Sequence, residues 1–332
     1  MQDAGFLLEV EDLQTHFRSR EGTVRAVDGV SFRTRKGETL GIAGESGCGK
    51  SVTAQSILRI VPRNGRIVSG RILFDFQDEK RDLTKLNAEG KLMQSIRGGE
   101  IAMIFQEPMT SFSPVHTIGN QIMEAIMLHR QIRKEEARSI TLELLNDVGI
   151  PSPENAIDEY TFNLSGGMRQ RAMIAMALSC QPRLLIADEP TTAVDVTIQA
   201  QVLELMNQVQ SEYHMGLIVI THDTAVIAEM ADHVLIMYLG KGVEYGTVDE
   251  IFYEPKHPYT AALMDSVLKL EFDDGPTRKQ GIAGSVPSPY EIPEGCPFHP
   301  RCSQHIVGVC EREDPPQVQA SASHSVHCHL YD

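Results

Sequence analysis

Residues 44–51 read Gly44-Glu45-Ser46-Gly47-Cys48-Gly49-Lys50-Ser51 and fit the pattern G-x-x-x-x-G-K-S, which indicates the fold more specifically than any other part of the chain. It follows the predicted strand Glu38–Ala43 and opens the predicted helix Lys50–Ile60, which is the context that this pattern requires. Glycines let the backbone wrap tightly enough for its N–H groups, together with the helix N-terminus, to point at phosphates. Lys50 adds a positive charge for the β- and γ-phosphates, and Ser51 adds a hydroxyl for Mg²⁺. The stretch therefore predicts a phosphate-binding loop rather than an ordinary glycine turn that caps a helix.

This phosphate loop lies within a series of short apolar strands that alternate with helices. Before it, Phe6–Phe17 and Val24–Arg33 are predicted as strands on either side of a turn at residues 19–22. After it, the predicted strands are Ile101–Phe105, Leu184–Ala187, Leu217–Ile220 and Val234–Tyr238, and the predicted helices are Gly166–Ser179, Val196–Tyr213 and Thr224–Met230. Buried strands that alternate with helices form a largely parallel sheet, with ligands at the carboxyl ends of the strands. The predicted fold class is α/β.

Two other regions depart from this alternation. Gln106–Pro114 is a predicted loop because of its prolines and serines, whereas Ile118–Gly149 has the apolar spacing of helices. The alternation ends around Phe252, and residues 273–316 contain many prolines and glycines with little periodicity. The predicted divisions are residues 1–255 for a main domain, about 107–178 for its helical subdomain, and 256–332 for a C-terminal extension.

Charge and hydropathy exclude several classes of protein. The formal net charge of −15 argues against a general nucleic-acid binder, which needs a basic surface to neutralise phosphates. The acidic first residues do not make a signal peptide, and no apolar run approaches the roughly 18 residues that a spanning helix needs. We therefore expect a cytosolic protein, or one that meets a membrane only through partners.

A second glycine motif, Leu164-Ser165-Gly166-Gly167-Met168-Arg169-Gln170, opens the predicted helix Gly166–Ser179. Ser165 is a suitable N-cap for that helix. The same residues also suit a second anion site, because the first N–H groups of a helix are free and glycine leaves room for close approach. The residues by themselves leave both interpretations open.

The order of these motifs resembles that of ABC (ATP-binding cassette) ATPases. Leu164–Gln170 is similar to their signature motif, and Leu184-Leu185-Ile186-Ala187-Asp188-Glu189 is similar to their Walker B strand. In this family the residue at Asp188 orders the Mg²⁺ shell, and the residue at Glu189 polarises the attacking water, work that suits a carboxylate beside a metal–phosphate site. The resemblance implies ATP hydrolysis with Mg²⁺, and a fold with a RecA-like core, an antiparallel β subdomain and a helical subdomain.

Other family positions match in order. Gln106 resembles the Q-loop glutamine that reaches Mg²⁺ and the water, and its loop in the family contacts the membrane partner. Ala193-Val194-Asp195 resembles the D-loop, and His222 resembles the switch histidine that contacts the γ-phosphate. Phe17 matches the aromatic residue that stacks on adenine, although it is equally suited to a strand core. Cys48 stands where the family usually has serine, and we expect a nearby thiol rather than a catalytic one.

The family resemblance also implies a pair of ATPase subunits. In the family, the phosphate loop and the signature motif of one subunit lie far apart, so Ser165-Gly166-Gly167 serves the γ-phosphate on a second subunit, either a copy or a paralogue. ATP then holds a head-to-tail dimer together, and hydrolysis opens it.

Four of the six cysteines, Cys296, Cys302, Cys310 and Cys328, fall in the last 37 residues, at intervals of five, seven and seventeen residues. In a cytosolic chain such a cluster favours metal over disulfides. Four thiolates suit either tetrahedral Zn²⁺ or an iron–sulfur cluster, and nearby histidines are alternative ligands. The alternative ligands are His299, His324, His327 and His329.

Together with His257-Pro258-Tyr259-Thr260, this tail resembles the C-terminal extension of dipeptide/oligopeptide importer ATPases, in which four cysteines hold a [4Fe-4S] cluster. The family's interval between the second and third cysteines is commonly one residue shorter than the interval here. The resemblance implies a subunit on the cytoplasmic face of the membrane, peripheral through two transmembrane permease subunits, which work with an extracytoplasmic solute-binding protein. The resemblance implies dipeptides or oligopeptides as the imported solute, and nickel complexes, opines and oligosaccharides are the alternatives.

Two other functional classes compete with the importer. A soluble ABC ATPase working on DNA or ribosomes usually has tandem cassettes or long coiled-coil insertions, and this chain has neither. A non-enzymatic subunit with a degenerate site is disfavoured by the presence of Lys50, Glu189 and His222.

Overall fold

Strands and helices alternate along most of the chain in the computed structural model, which describes residues 5–106, 111–192, 196–272, 282 and 284–332. The strands are β1 Leu8–Arg18, β2 Thr23–Thr34, β3 Thr39–Ala43, β4 Gly65–Phe76, β5 Glu79–Asp82, β6 Ile101–Ile104, β7 Leu184–Asp188, β8 Gly216–Ile220, β9 His233–Tyr238, β10 Lys241–Thr247, β11 Gln317–Gln319 and β12 Ser325–His327. The helices are α1 Lys50–Ile57, α2 Lys91–Ile96, α3 Ile118–His129, α4 Lys134–Asp147, α5 Pro153–Ala156, α6 Gly166–Leu178, α7 Val196–Tyr213, α8 Thr224–Met230, α9 Val248–Tyr253 and α10 Pro258–Phe272. The predicted α/β class is confirmed.

The chain forms two compact units, and each is assembled from separate stretches of sequence. The first unit comprises Met1–Leu7, Arg35–Glu38 and Lys85–Ile220, and the second comprises Leu8–Thr34, Thr39–Thr84 and Thr221–Asp332. The chain therefore passes several times between the units. The predicted boundary between residues 255 and 256 stays a prediction.

In the first unit, three parallel strands lie in the order β8-β7-β6, with Ile186 opposite Ile218 on one side and Met103 on the other. Strands β7 and β8 are buried along their whole length, as expected of a parallel strand covered on both faces. Helices α3, α4 and α6 pack against one another, and α6 also packs against β6. These helices lie within the stretch predicted as the helical subdomain.

In the second unit, β1, β2, β4 and β5 form an antiparallel sheet in the order β2-β1-β4-β5. Five other strands of this unit lie side by side in the order β11-β12-β10-β9-β3, and of their pairings only that of β3 with β9 is parallel. The C-terminal strands β11 and β12 thus extend the sheet that carries the phosphate loop. Buried side chains of α10 and of the cysteine-rich tail share one apolar core with β9, including Tyr238, Tyr259 and Phe298.

The sequence pattern missed some elements and misplaced one helix end. It predicted no strand between residues 60 and 101, yet β4 and β5 lie there; the turn-like pair Ser69-Gly70 interrupts the apolar pattern of β4, and β5 is charged throughout. The helix predicted for Lys50–Ile60 ends at Ile57, because Arg59 adopts a left-handed conformation with φ of 55°. Among the described residues, no helix combines the length and the apolar character needed to cross a bilayer.

Candidate functional site

The phosphate loop depends on glycines in conformations that other residues rarely adopt. Gly44, Gly47 and Gly49 have φ values of 149°, 80° and 104°. A Cβ atom at Gly44 would overlap the Met237 carbonyl oxygen, and one at Gly49 would overlap the Ala26 carbonyl oxygen. At these two positions, glycine is required both by the backbone conformation and by the space available.

Lys50 is held inside the curve of this loop. Its Nζ donates hydrogen bonds to the carbonyl oxygens of Gly44, at 2.7 Å, and Glu45, at 3.2 Å, and the residue is only 6% exposed. Gly49 caps α1 without a side-chain hydrogen bond, so no cap side chain takes the first N–H groups of the helix. A helix N-terminus beside a buried ammonium group suits an anion such as a triphosphate.

Cys48 does not resemble a reactive cysteine. It is buried, and burial raises the pKa of its thiol. A thiol in this state stays protonated at neutral pH and is a poor nucleophile. The expectation that Cys48 has no catalytic role is consistent with this environment.

His222, the predicted switch histidine, lies in the second unit. His222 is exposed and follows Thr221, whose N–H donates to the Ile42 carbonyl oxygen at the end of β3. Asp223, on the other side, caps α8 by accepting a hydrogen bond from Ala225 N–H. His222 is therefore presented by a short segment fixed on both sides.

Phe17 is half-buried in β1 and lies opposite Val24 and Gly65. A Cβ atom at Gly65 would come within 2.6 Å of its ring, so the ring packs closely over that glycine. Its predicted stacking on adenine stays a prediction.

In the first unit, the predicted catalytic carboxylate is held by two side chains. Glu189 Oε2 accepts hydrogen bonds from Gln106 Nε2 at 3.0 Å and from Thr192 Oγ1 at 2.8 Å. Its N–H donates to the Ile220 carbonyl oxygen, and its φ of 48° is unusual for a residue with a side chain. Strained backbone of this kind clusters at functional sites. Asp188, the preceding residue, is 3% exposed at the end of β7.

The predicted signature turn begins α6. Ser165 Oγ accepts a hydrogen bond from Met168 N–H, so the N-cap interpretation is correct. This cap uses a single N–H group, and Gly166 is exposed with no atom within 4 Å of a Cβ built there. The first turn of α6 is thus capped at one N–H group and accessible to solvent at Gly166. Its predicted contact with the γ-phosphate bound by a second subunit stays a prediction. Gln170, one turn further on, is buried and donates to the Pro190 carbonyl oxygen.

Some predicted positions lie outside the described residues. They are the predicted D-loop, Ala193-Val194-Asp195, and residues 107–110 of the loop that follows Gln106.

The four cysteines of the tail line one small cavity, together with three histidines, His257, His299 and His329. Cys296, Cys310 and Cys328 are buried, Cys302 is partly buried, and none of the four forms a disulfide. Burial raises the pKa of Cys296 to about 11 and also raises the pKa values of Cys302 and Cys328. In the described part of the chain, no three His, Cys, Asp or Glu side chains stand in positions that could hold a metal ion. The cysteines converge, but not in ligating geometry.

The histidines considered as alternative ligands have different surroundings. His324 Nε2 lies 2.7 Å from the buried Glu244 carboxylate and is engaged there. His299 Nδ1 lies 2.9 Å from the Cys296 carbonyl oxygen, and His329 Nε2 lies 3.0 Å from that of Glu313. Only His299 and His329 of the four line the cysteine cavity.

Sequence reasoning missed two contacts to the phosphate loop. The Glu45 N–H donates to the Tyr259 hydroxyl at 2.9 Å, and the Glu45 carboxylate forms a two-pronged ion pair with Arg301. Arg301 lies 256 residues further along the chain and carries no motif signal of its own, so no local pattern could have found it.

Comparison with known proteins matches both parts of the chain. The family described as ABC transporter matches residues 27–192, and that described as oligopeptide/dipeptide transporter, C-terminal region, matches residues 243–310. The dipeptide transport ATP-binding protein DppD of Bacillus subtilis (strain 168) is 48% identical over 98% of this chain and 95% of its own length. The oligopeptide transport ATP-binding protein AppD of the same organism is 48% identical over 98% of this chain and 97% of its own length.

A solved structure supports the fold. It is the dimeric post-hydrolysis state of the ATP-binding cassette MJ0796 bound to ADP and Pi, which has a TM-score of 0.64 and covers 73% of this chain and 98% of its own. At 22% sequence identity this likeness concerns the fold alone.

Proposed function

The chain belongs to the ABC transporter family, and on that premise we propose that it is the ATP-hydrolysing motor subunit of an importer for dipeptides or oligopeptides. One observation carries the proposal. The similarity to a dipeptide transport ATP-binding protein extends over 98% of the chain, and a separate oligopeptide/dipeptide transporter family matches its C-terminal region. A soluble ATPase that works on DNA or ribosomes would not be expected to match the C-terminal region of oligopeptide and dipeptide transporters.

The residues of the phosphate loop suit the binding of ATP. Lys50 supplies the buried positive charge, and Gly44–Ser51 supplies backbone N–H groups at the start of α1. The oxygen donors of Ser51, Asp188 and Gln106 would hold Mg²⁺, which prefers hydroxyl, carboxylate and amide oxygens. When bound, Mg²⁺ neutralises the charge that develops on the phosphate oxygens.

Glu189 is the proposed general base. A carboxylate that accepts hydrogen bonds from Gln106 and Thr192 is fixed in one orientation, which lets it orient a water and accept its proton. His222 would contact the γ-phosphate from its fixed segment, and Phe17 would contact the adenine. Attack by this water on the γ-phosphorus forms the new P–O bond and breaks the bond to the β-phosphate oxygen, which gives ADP and inorganic phosphate, while the proton of the water passes to Glu189.

The active form that we propose is a pair of subunits. The open first turn at Gly166 is suited to approach a triphosphate bound by the phosphate loop of a neighbour. The match of Asp195 to the D-loop implies a role for this residue between the same two subunits. The neighbour is a second copy or a paralogue. The other partners are two transmembrane permease subunits and an extracytoplasmic solute-binding protein, and the chain attaches to the cytoplasmic face of the membrane through the permeases.

Reconstitution tests the function. The chain is co-expressed with the permease and solute-binding subunits of a peptide importer from the same organism, placed in vesicles, and assayed for ATP hydrolysis with and without dipeptides or oligopeptides. We expect peptide to raise hydrolysis several-fold and Lys50→Ala to abolish it. Stimulation by nickel complexes, opines or oligosaccharides instead of peptides would change the assigned solute, whereas hydrolysis stimulated only by DNA or ribosomes would overturn the importer.

A [4Fe-4S] cluster at the cysteine cavity is a second proposal. Four thiols are the number of ligands that such a cluster or Zn²⁺ takes, and all four line one cavity; binding would draw their sulfur atoms closer together than they are in this structure. Burial raises the pKa values of Cys296, Cys302 and Cys328, so thiolates at these three positions would need a bound cation beside them. The cluster would supply a structural crosslink, because the proposed ATP chemistry does not use it. Protein purified without oxygen should be brown and contain iron and sulfide; a colourless protein with stoichiometric zinc would favour Zn²⁺.

A further inference from the structure

Glu45, the second residue of the phosphate loop, is held by two residues from the C-terminal part of the chain. Arg301 Nη1 lies 2.6 Å from Glu45 Oε2, and Arg301 Nη2 lies 3.0 Å from Glu45 Oε1. The Tyr259 hydroxyl accepts a hydrogen bond of 2.9 Å from the Glu45 N–H. One contact fixes the side chain of Glu45, and the other fixes its backbone.

The two holding residues are themselves fixed. The side chain of Arg301 is only 4% exposed, against 26% for that of Glu45, and its Nη1 also donates to the Tyr238 hydroxyl at 3.3 Å. Tyr259 is fully buried, and its ring lies against those of Tyr238 and Phe298. The guanidinium group is planar and forms two parallel hydrogen bonds, and here it is packed among aromatic rings. It therefore fixes the orientation of the Glu45 carboxylate more closely than a flexible ion pair on the surface would.

The charge of Glu45 explains why such a partner matters. The Glu45 carboxylate is negatively charged and belongs to the loop that we propose binds ATP, so it repels the negatively charged triphosphate. A bidentate arginine neutralises that carboxylate locally and satisfies both of its oxygens. Loss of the arginine would leave the carboxylate beside the phosphates without compensation.

We propose that Arg301 and Tyr259 are positioning residues for ATP, which neutralise Glu45 and hold the phosphate loop in its binding conformation from the C-terminal part of the chain. The inference rests on the proposed function in that it takes the loop to bind ATP. It gives the tail a direct role at the nucleotide site: the segment that carries Arg301 lies between Cys296 and Cys302, two residues of the cysteine cavity.

The test uses the full-length protein and the non-hydrolysable analogue AMPPNP. Arg301→Met should weaken AMPPNP binding about tenfold, the effect of losing one charge-assisted pair. Adding Glu45→Gln to Arg301→Met should restore affinity to within about threefold of the wild type, because it removes the uncompensated charge. Arg301→Lys, which keeps the charge but not the fork, should fall between the two. Tyr259→Phe should weaken binding by a smaller factor.

A matched control is available in the same part of the molecule. Lys241 Nζ and Asp314 Oδ1 form an ion pair of 2.7 Å that also joins the tail to the sheet but does not touch the loop. Asp314→Asn should therefore leave AMPPNP affinity unchanged. In hydrolysis assays the Arg301 variants should raise KM for ATP more than they lower kcat, because the groups around Glu189 are unchanged.

Hydrogen exchange of the nucleotide-free protein separates this inference from the proposed function. The amides of residues 44–51 should exchange about tenfold faster in Arg301→Met and Tyr259→Phe than in the wild type, with unchanged exchange in Asp314→Asn. This readout does not need ATP, so it holds even if the wild type were to bind no nucleotide, which would overturn the proposed function alone. Unchanged exchange and unchanged AMPPNP affinity in folded Arg301→Met would overturn the inference, as would a double variant as weak as Arg301→Met.

Discussion

Gln106 donates a hydrogen bond of 3.0 Å from its side-chain nitrogen to the carboxylate of Glu189, although the two residues are 83 positions apart in the chain. Thr192 donates to the same carboxylate oxygen from the opposite direction in sequence. The carboxylate that the sequence nominates as general base is thus oriented by two neighbours. This arrangement is the basis of the first prediction.

Glu189→Gln should lower steady-state ATP hydrolysis by about 10²–10⁴-fold, the usual contribution of a general base. The amide keeps the size of the side chain, so nucleotide binding and ATP-dependent dimers should persist in size-exclusion chromatography. Glu212→Gln, an exposed acid on α7, is the control and should hydrolyse ATP normally. Undiminished turnover in Glu189→Gln would remove this residue from the mechanism.

Gly49→Ala should disable the phosphate loop more severely than Gly47→Ala. Both glycines have positive φ, for which alanine costs about 1–2 kcal/mol. Only at Gly49 would the added Cβ also overlap a backbone carbonyl oxygen, that of Ala26; at Gly47 nothing lies within 4 Å. Calorimetry with AMPPNP and thermal unfolding would rank the two variants, and equal losses would contradict the role assigned to the overlap.

Cys296→Ser should remove bound metal from the tail while leaving the protein folded. Its thiol lines the cavity shared by the four clustered cysteines, so its loss breaks the proposed set of ligands. Cys180→Ser is the matched control, because Cys180 is a free, partly buried cysteine of the first unit. Iron, sulfide and zinc are measured in both variants after anaerobic purification. Equal metal content in the two would place the metal elsewhere.

We expect the ionised carboxylate of Glu250 to stabilise the fold, so that the free energy of unfolding falls as the pH is lowered through the acidic range. Burial alone would raise the pKa of Glu250, but hydrogen bonds from the hydroxyls of Ser321 and Ser323 and from Thr247 outweigh it and lower the pKa to about 2. A carboxyl whose pKa is lower in the folded protein stabilises it above its unfolded pKa of 4.5, and that contribution disappears as the pH falls toward 2.

Thermal unfolding of the wild type and Glu250→Gln measures this effect. The variant should have a lower Tm at pH 7, and the difference should shrink between about pH 4.5 and 2. Asp249→Asn, which removes an exposed acid from the same first turn of α9, is the control and should lower the Tm at pH 7 less than Glu250→Gln does. A difference in Tm that stays constant with pH would show that the charge of Glu250 is not what stabilises the fold.

Local sequence was sufficient for the features that depend on short-range patterns. The glycine spacing of Gly44–Ser51 requires positive φ and backbone donors, and the apolar runs of β7 and β8 require burial on both faces. The strand β4 was missed because Ser69-Gly70, a pair typical of turns, divides its apolar residues, and β5 was missed because all four of its residues are charged. The end of α1 was misplaced because the left-handed conformation of Arg59 has no signature in a residue other than glycine.

The family, the phosphate loop and the identity of the candidate catalytic groups could be predicted before any coordinates, because each is encoded in neighbouring residues with a fixed spacing. The side chains that hold those groups could be identified in the folded chain alone: Gln106 and Thr192 at Glu189, and Tyr259 and Arg301 at Glu45. An ion pair between residues as far apart as 256 positions depends on how the sheet and the tail pack, and no local pattern specifies that packing.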